Sequence, residues 1–103
     1  MTCTVILRRG SLFFSRGDYD RFFPGVDSVV LLRDGSTLLV LPVMQAAGGY
    51  LLKQRNLAGD RVAHAAGFFR ENGIPDEVER VSAAEWSVER AALVAGGFFP
   101  VQT

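Results

Sequence analysis

The stretch that decides the fold is GSLFFSRGDYDRFFPGVDSVVLLRDGSTLLVLP, residues 10–42. Its second part contains two β-rich apolar runs, residues 28–33 and 37–41, joined by Asp34-Gly35, a turn sequence that favours hairpins. Because both runs are nearly continuous in apolar residues, we expect both faces of this hairpin to be covered. Pro42 is expected to end the second strand, since proline cannot donate to a ladder.

A short helix is predicted between this hairpin and the strand at residues 12–15. Gly17 interrupts the strand pattern, and Asp18 is the predicted N-cap. The aromatic residues that follow have helical spacing, and Pro24-Gly25 ends the helix after about two turns. A helix this short is stable only when its aromatic face packs on another element. That face consists of Tyr19, Phe22 and Phe23.

The regions on both sides of this stretch complete the order of elements. An apolar β-branched run at residues 3–8 (CTVILR) predicts a first strand that returns through Arg9-Gly10-Ser11. After residue 49 the same order of elements follows. It comprises a strand at 50–55, a turn at 56–60, a strand at 61–65, and a helix at 66–72 that Gly73 ends.

The segment at residues 76–95 has two interpretations. A hairpin made of residues 79–86 and 91–94 matches the first half of the chain. A single helix over residues 76–95 is the competing prediction, because Ala and Glu favour helices. That helix would carry Glu85 within its apolar stripe, so we prefer the hairpin.

The order of elements therefore predicts an internal repeat. The 103 residues form one domain of two similar halves, about 1–43 and 50–99, with a flexible linker at 44–49. The expected fold is mainly β with short helices (α+β), built from tandem β-β-α-β-β units. Phe22-Phe23 and Phe68-Phe69 are the most visible corresponding positions of the two halves.

The quoted stretch resembles the AbrB/SpoVT/MraZ-type swapped-hairpin unit, in which a glycine-led strand precedes a short helix, a D-G hairpin and a proline. GDRVAHAAGFFRENGI, residues 59–74, resembles the first part of the same unit. The resemblance implies a pseudo-twofold swapped-hairpin-like barrel and a prokaryotic DNA-binding regulator or antitoxin. Such proteins work as intertwined dimers or as tandem copies in one chain. Ser11 and Ser15 stand where that family usually has a basic residue and a proline.

The basic residues are concentrated in the first hairpin of each half, although the net charge is zero. Residues 71–90 instead carry six acidic residues against two arginines. In a pseudo-twofold arrangement the two hairpins form one basic face that can meet DNA phosphates and guanine edges. The alternative is that these residues are solvated strand edges that block aggregation. The candidate nucleic-acid-binding residues are Arg8, Arg9, Arg16, Lys53, Arg55 and Arg61.

Other chemistry receives little support from the sequence. Cys3 is the only cysteine and His64 the only histidine, so we expect no disulfide, no metal site and no cofactor. Asp18 and Asp20 are read as capping and solvated residues rather than as a catalytic pair. With no signal-peptide pattern and no apolar run of spanning length, we expect a cytoplasmic protein without a membrane partner.

Two functions from different classes therefore remain. The first is a DNA-binding regulator or antitoxin-like protein that is a homodimer or a pseudo-dimeric monomer. The second is a non-enzymatic module that binds a protein partner through an aromatic-rich surface, since eight Phe residues occur mostly in pairs. An enzyme is not expected, because no catalytic motif is present.

Overall fold

The computed structural model describes residues 1–43 and 48–100. Within those ranges the chain forms nine strands and two short helices, so the mainly β fold predicted from the sequence is confirmed. In chain order they are β1 (Thr2–Arg8), β2 (Ser11–Phe14), α1 (Arg16–Phe22), β3 (Ser28–Asp34), β4 (Thr37–Val43), β5 (Tyr50–Leu51), β6 (Lys53–Gln54), β7 (Arg61–His64), α2 (Ala66–Glu71), β8 (Glu79–Ser87) and β9 (Ala92–Ala95).

The strands form one antiparallel sheet in the order β5-β3-β4-β9-β8-β1-β2-β7-β6. Its two end strands, β5 and β6, are separated in the chain only by Leu52, so the sheet curls into a nearly closed barrel. Leu52 is buried, and its N–H donates to the Asp27 carbonyl at 2.8 Å. The strand predicted at residues 50–55 is therefore divided, because β5 pairs with β3 whereas β6 pairs with β7.

Three of the four predicted hairpins form as expected, and in the fourth only β6 pairs with β7. Arg8 pairs with Ser11, and the two residues between them, Arg9 and Gly10, have φ of 50° and 75°, as a type I′ turn requires. β3 and β4 pair over their full lengths. The segment at residues 76–95 forms the hairpin of β8 and β9 rather than a helix. Pairing of β8 with β1 over seven residues stabilises the extended form.

The end and the coverage of the β3–β4 hairpin differ from expectation. β4 continues through Pro42, which pairs with Val29. Proline is tolerated there because β9 pairs with β4 only at residues 38–40, so the missing N–H leaves no ladder bond unmade. The outer side of this hairpin is also partly open, since Leu32 is 46% exposed.

Helix α1 begins one turn earlier than predicted. Its N-cap is Ser15, whose hydroxyl accepts a hydrogen bond from the Asp18 N–H at 3.1 Å, so the assignment of Asp18 as N-cap was wrong. Gly17 lies inside the first turn of the helix rather than between the strand and the helix. Serine and aspartate cap equally well, and the extended backbone of Ser15 decides between them.

Helix α2 ends at Gly73, as predicted. Gly73 has φ of 85°, and the Ile74 N–H donates to the Phe69 carbonyl at 2.8 Å. The Gly73 N–H donates to the Arg70 carbonyl at 3.2 Å, which completes a Schellman motif. This arrangement satisfies carbonyls that the end of a helix otherwise leaves without partners.

The hydrophobic core combines aliphatic side chains of the strands with aromatic rings from β2, the helices and the last described segment. Phe14 and Phe23 meet edge to face at 5.5 Å between centroids. A second cluster joins α2 to the end of the chain through Phe68, Phe69, Phe98 and Phe99. Of the predicted linker at 44–49, residues 44–47 lie outside the described residues.

Candidate nucleic-acid interface

The outside of four neighbouring strands carries most of the candidate basic residues. In β1, the buried Val5 and Leu7 alternate with Ile6 and Arg8, which point outward. Residues that pair across neighbouring strands point to the same side of the sheet. Ile6 pairs with Phe13, Phe13 with Val62, and Val62 with Lys53, so all four lie on this side. We call this side the outer face and define it by Ile6, Arg8, Phe13, Lys53, Arg55 and Val62.

Phe13 brings two arginines from opposite halves of the chain together. The guanidinium carbon of Arg8 lies 5.9 Å from the centroid of the Phe13 ring. That of Arg55 lies 4.7 Å from the same centroid. Both distances are within cation–π range, so the ring holds two cations at one place on the surface. An ion-binding arrangement of this kind suits phosphates of a nucleic acid backbone.

The charges of the outer face are only partly neutralised. Arg8 forms an ion pair with Glu79 at 3.3 Å, and both side chains are more than half exposed. Within residues 1–43 and 48–100, no carboxylate oxygen lies within 4.0 Å of the charged nitrogen atoms of Arg9, Lys53 or Arg55. These three exposed cations are therefore available to an anionic partner.

Two candidate residues lie elsewhere. Arg16 is the first residue of α1 and pairs with Asp20 at 3.5 Å. Arg61 pairs in register with the inward-pointing Phe14, and its guanidinium carbon lies 4.3 Å from the centroid of the Tyr19 ring. The structure thus places Arg8, Arg9, Lys53 and Arg55 on the β1–β2 and β6–β7 hairpins and turns Arg61 toward the interior.

A shallow groove of about 390 Å³ runs beside Phe13. Its lining combines the aromatic and aliphatic side chains of Ile6, Phe13 and Phe14 with Thr4, Ser15, Arg55 and two carboxylates, Asp18 and Asp60. An aromatic ring beside a guanidinium can accept a flat, polar-edged group such as a nucleobase. Phe13 was not among the site residues predicted from the sequence. Its signal was the Phe13-Phe14 pair in a strand, because alternation sends one ring inward and the other outward.

Asp60 fixes the loop that presents Arg55. Its carboxylate accepts hydrogen bonds from the Arg16 backbone N–H at 2.9 Å and from the Asn56 side chain at 3.0 Å. The Arg55 N–H donates to the Asp60 carbonyl at 2.7 Å. Hydrogen bonds from Asn56 and from the Arg16 backbone lower the pKa of Asp60 below its usual value of 3.8. The loop between β6 and β7 is thus tied to the start of α1.

Replacing Asp60 with Asn is expected to lower the thermal midpoint at pH 7 and to flatten its acid dependence. Because the folded-state pKa of Asp60 is depressed, its contribution is fully present above the unfolded pKa and is lost as pH falls through the folded pKa. Thermal unfolding between about pH 2 and 7 checks this. The control, Asp27→Asn, changes an exposed carboxylate without such bonds among the described residues and is expected to leave the thermal midpoint at pH 7 close to that of the wild type. An unchanged slope in Asp60→Asn contradicts the assignment.

The remaining candidate reactive groups are accounted for by ordinary contacts. The side chain of His64 is exposed, and its Nδ1 atom shares a hydrogen bond with the Ser11 hydroxyl at 2.8 Å. No group of three potential metal-ligating side chains occurs in the part of the chain that the structure describes. Burial, aided by the nearby Asp18 charge, raises the pKa of the Cys3 thiol to about 11. The thiol is therefore protonated at neutral pH and a poor nucleophile.

Most of the aromatic pairs that suggested an interaction surface are in the core. Phe22, Phe23, Phe69, Phe98 and Phe99 are buried. Half-buried Trp86 stacks on Phe22 with 6.0 Å between ring centroids. Among the described residues, the partly exposed aromatic side chains are those of Phe13, Tyr50, Phe68 and Trp86, so most of the phenylalanine pairs do not supply an interaction surface.

No protein-family model, curated protein or solved structure matches this chain. Neither helix of the described residues is long and apolar enough to cross a membrane.

Proposed function

We propose that this chain is a small cytoplasmic DNA-binding regulator or antitoxin-like protein that contacts double-stranded DNA with its outer face. The observation that carries the proposal is the position of Arg8 and Arg55 over the same Phe13 ring. Arg9 and Lys53 add two exposed cations on the adjoining turn and strand. Pairing of β2 with β7, and of β7 with β6, brings these residues to one side of the sheet, whereas the sequence alone showed two separate basic segments.

A tandem pair of β-β-α-β-β copies in a swapped-hairpin-like barrel is the second part of the proposal. If β1 is matched with β5 and β6, β2 with β7, β3 with β8 and β4 with β9, the neighbour relations of the sheet are unchanged. Strands of each copy also pair with strands of the other, as β1 does with β8 and β3 with β5. One chain then acts as a pseudo-dimer.

The helices support a different correspondence from the one that the phenylalanine pairs suggested. Tyr19 donates its N–H to the carbonyl of Ser15, and Phe69 donates to that of Ala65. Both donors are the buried aromatic residue in the first full turn of their helix. We therefore propose that Tyr19 corresponds to Phe69. This alignment of the two helices is shifted by about one helical turn from the one that matches Phe22-Phe23 with Phe68-Phe69.

The chemistry of the outer face suits backbone contact more than sequence readout. Arg9 and Lys53 can each neutralise a phosphate, and each such contact adds about 0.9 to the slope of log affinity against log salt. Arg8 must exchange its ion pair with Glu79 for a phosphate, which weakens its contribution. We therefore expect weak binding that depends strongly on salt.

A variant with Arg9, Lys53 and Arg55 all changed to Ala is expected to lose duplex binding at about 50 mM salt. Fluorescence anisotropy of a labelled duplex, repeated over a salt series, measures both the affinity and the slope. Because three phosphate contacts are removed, the salt slope of any residual binding should fall by about 2–3.

The matched control is Arg70→Ala with Arg90→Ala, which removes cations that pair with Asp76 and Asp34. It is expected to bind like the wild type. Wild-type protein that shows no duplex binding at about 50 mM salt contradicts the proposal. The same loss per removed cation in the triple variant and in the control, which removes two, also contradicts it, because it indicates an effect of net charge alone.

A protein-binding module is the second candidate, and one observation favours it. The outer side of β3, β4, β5 and β9 carries a row of uncharged aliphatic side chains on neighbouring strands. They are Val30, Leu32, Leu39, Leu41, Leu51 and Val94. A contiguous apolar patch of this kind can hold a protein partner. Loss of a bound partner on Leu32→Lys, with duplex binding unchanged, favours this candidate; an unaffected partner argues against it.

A further inference from the structure

Strand β8 is paired along one side only for most of its length. It pairs with β1 at seven positions, from Glu79 to Glu85. On the other side it pairs with β9 only at residues 85–87. Residues 79–84 therefore form an open sheet edge within the described part of the chain, although β8 lies between β9 and β1 in the strand order.

The edge is open because the segment that follows β9 turns away from β8 instead of continuing to pair with it. Phe98 turns into the core, where it is 1% exposed and packs against Phe69. The Phe99 N–H donates to the Ser36 carbonyl at 2.9 Å, which directs the segment to the β3–β4 turn. The Arg80 side chain donates to the Phe98 carbonyl and keeps that segment on the inner side of β8. The outer edge of β8 is left uncovered by these residues.

Three residues of the edge present outward-pointing backbone groups that no other strand of the described residues pairs with. The Trp86 N–H donates to the Met1 carbonyl, on the β1 side. Because successive residues of a strand point their N–H and C=O groups to opposite sides, Glu79, Val81 and Ala83 point theirs away from β1. The Ala83 carbonyl accepts a local bond from the Ser82 hydroxyl at 3.1 Å and retains a second lone pair.

We propose that a second copy of this chain docks on this edge, by antiparallel pairing of β8 with β8 about a twofold axis at Val81. This register uses all three outward-pointing residues of both copies, because Val81 pairs with Val81 and Glu79 pairs with Ala83. Antiparallel hydrogen-bonded pairs exchange two bonds each, so three pairs supply six. A twofold contact is closed and does not propagate into a fibre.

The side chains of the edge suit this occupant. Val81 is 73% exposed, and pairing brings the two Val81 side chains together at the axis, with Ile6 beside each. Glu79 faces Ala83 rather than another acid, and its carboxylate is already paired with Arg8. Glu85, one step further along the outward-pointing positions, already pairs with Val94 of β9, so the docked pairing is limited to residues 79–83. The inference does not depend on DNA binding.

Sedimentation velocity without DNA tests the proposal on the full chain. Wild type is expected to dimerise, and Val81→Lys to weaken dimerisation by about tenfold or more, because it sets two like charges opposite each other. Val88→Lys is the matched control, since Val88 is 85% exposed in the β8–β9 loop, and it is expected to dimerise like wild type.

Mixing two variants that carry opposite charges at residue 81 provides the decisive test. Val81→Glu alone should be as monomeric as Val81→Lys, whereas an equimolar mixture should recover the dimer, because only pairing of Val81 with Val81 places the two new charges together. Wild-type protein that stays monomeric at about 100 µM overturns the proposal and leaves an extended peptide as occupant. A Val81→Lys dimer of wild-type affinity, or failure of the mixture to recover the dimer, also overturns it.

Discussion

Replacing Phe69 with Ala is expected to lower the free energy of unfolding by about 3–5 kcal/mol. Phe69 is fully buried and contacts three other rings, those of Phe68, Phe98 and Phe99. Truncation removes the apolar area and leaves a cavity between α2 and the last described segment, which cannot close easily because both are tied down by backbone bonds. Urea unfolding monitored by circular dichroism measures the loss.

Phe68→Ala is the matched control, because it removes the same side chain from the neighbouring, half-buried position. Its cost is expected to be clearly smaller, since part of the Phe68 ring already contacts water. Equal losses in the two variants contradict the assignment of Phe69 to the centre of the aromatic cluster.

Replacing Gly10 with Ala is expected to be the second most damaging single change. Gly10 has φ of 75°, and a Cβ placed on it meets the Cα and Cβ atoms of Ala66 at 2.5 Å. Its carbonyl also accepts the Ala65 N–H at 3.0 Å, so the turn cannot move away without breaking that bond. The change combines a backbone penalty of about 1–2 kcal/mol with a steric clash. A lower thermal midpoint is the expected readout.

Gly35→Ala separates these two causes. Gly35 has φ of 61° in the turn of the β3–β4 hairpin, but a Cβ there meets nothing within 4 Å. It should therefore incur only the backbone penalty, and the extra loss in Gly10→Ala reports the clash with Ala66. Equal midpoints for the two variants would show that the first hairpin does not press on α2 as described.

Local sequence signals predicted the hairpins well because their causes are local. Positive φ occurs between β-rich runs at Gly35 in one turn and at both Arg9 and Gly10 in the other. At the start of α1 the signals conflicted, since Ser15 and Asp18 are both good caps and only the backbone path selects Ser15. Pro42 was mistaken for a strand end because its tolerance depends on how far β9 pairs with β4.

The candidate site depends on contacts that no local pattern reveals. Asp60 binds the N–H of Arg16, 44 residues away in the chain. The meeting of Arg8 with Arg55 at Phe13 requires β2 to lie next to β7. Alternation within β7 likewise turns Arg61 inward, over Tyr19, although its charge made it a candidate. Sequence therefore supplied the basic residues, and strand order determines which of them share a face.

The most direct test of the outer face as a DNA-binding surface is an NMR titration of ¹⁵N-labelled protein with a short duplex. We expect salt-sensitive shift changes that map to Arg8, Arg9, Phe13, Lys53 and Arg55, and little change in α2 or at Leu32. Changes confined to α2 or to the outer side of the β3–β4 hairpin, or no changes at about 50 mM salt, would contradict it.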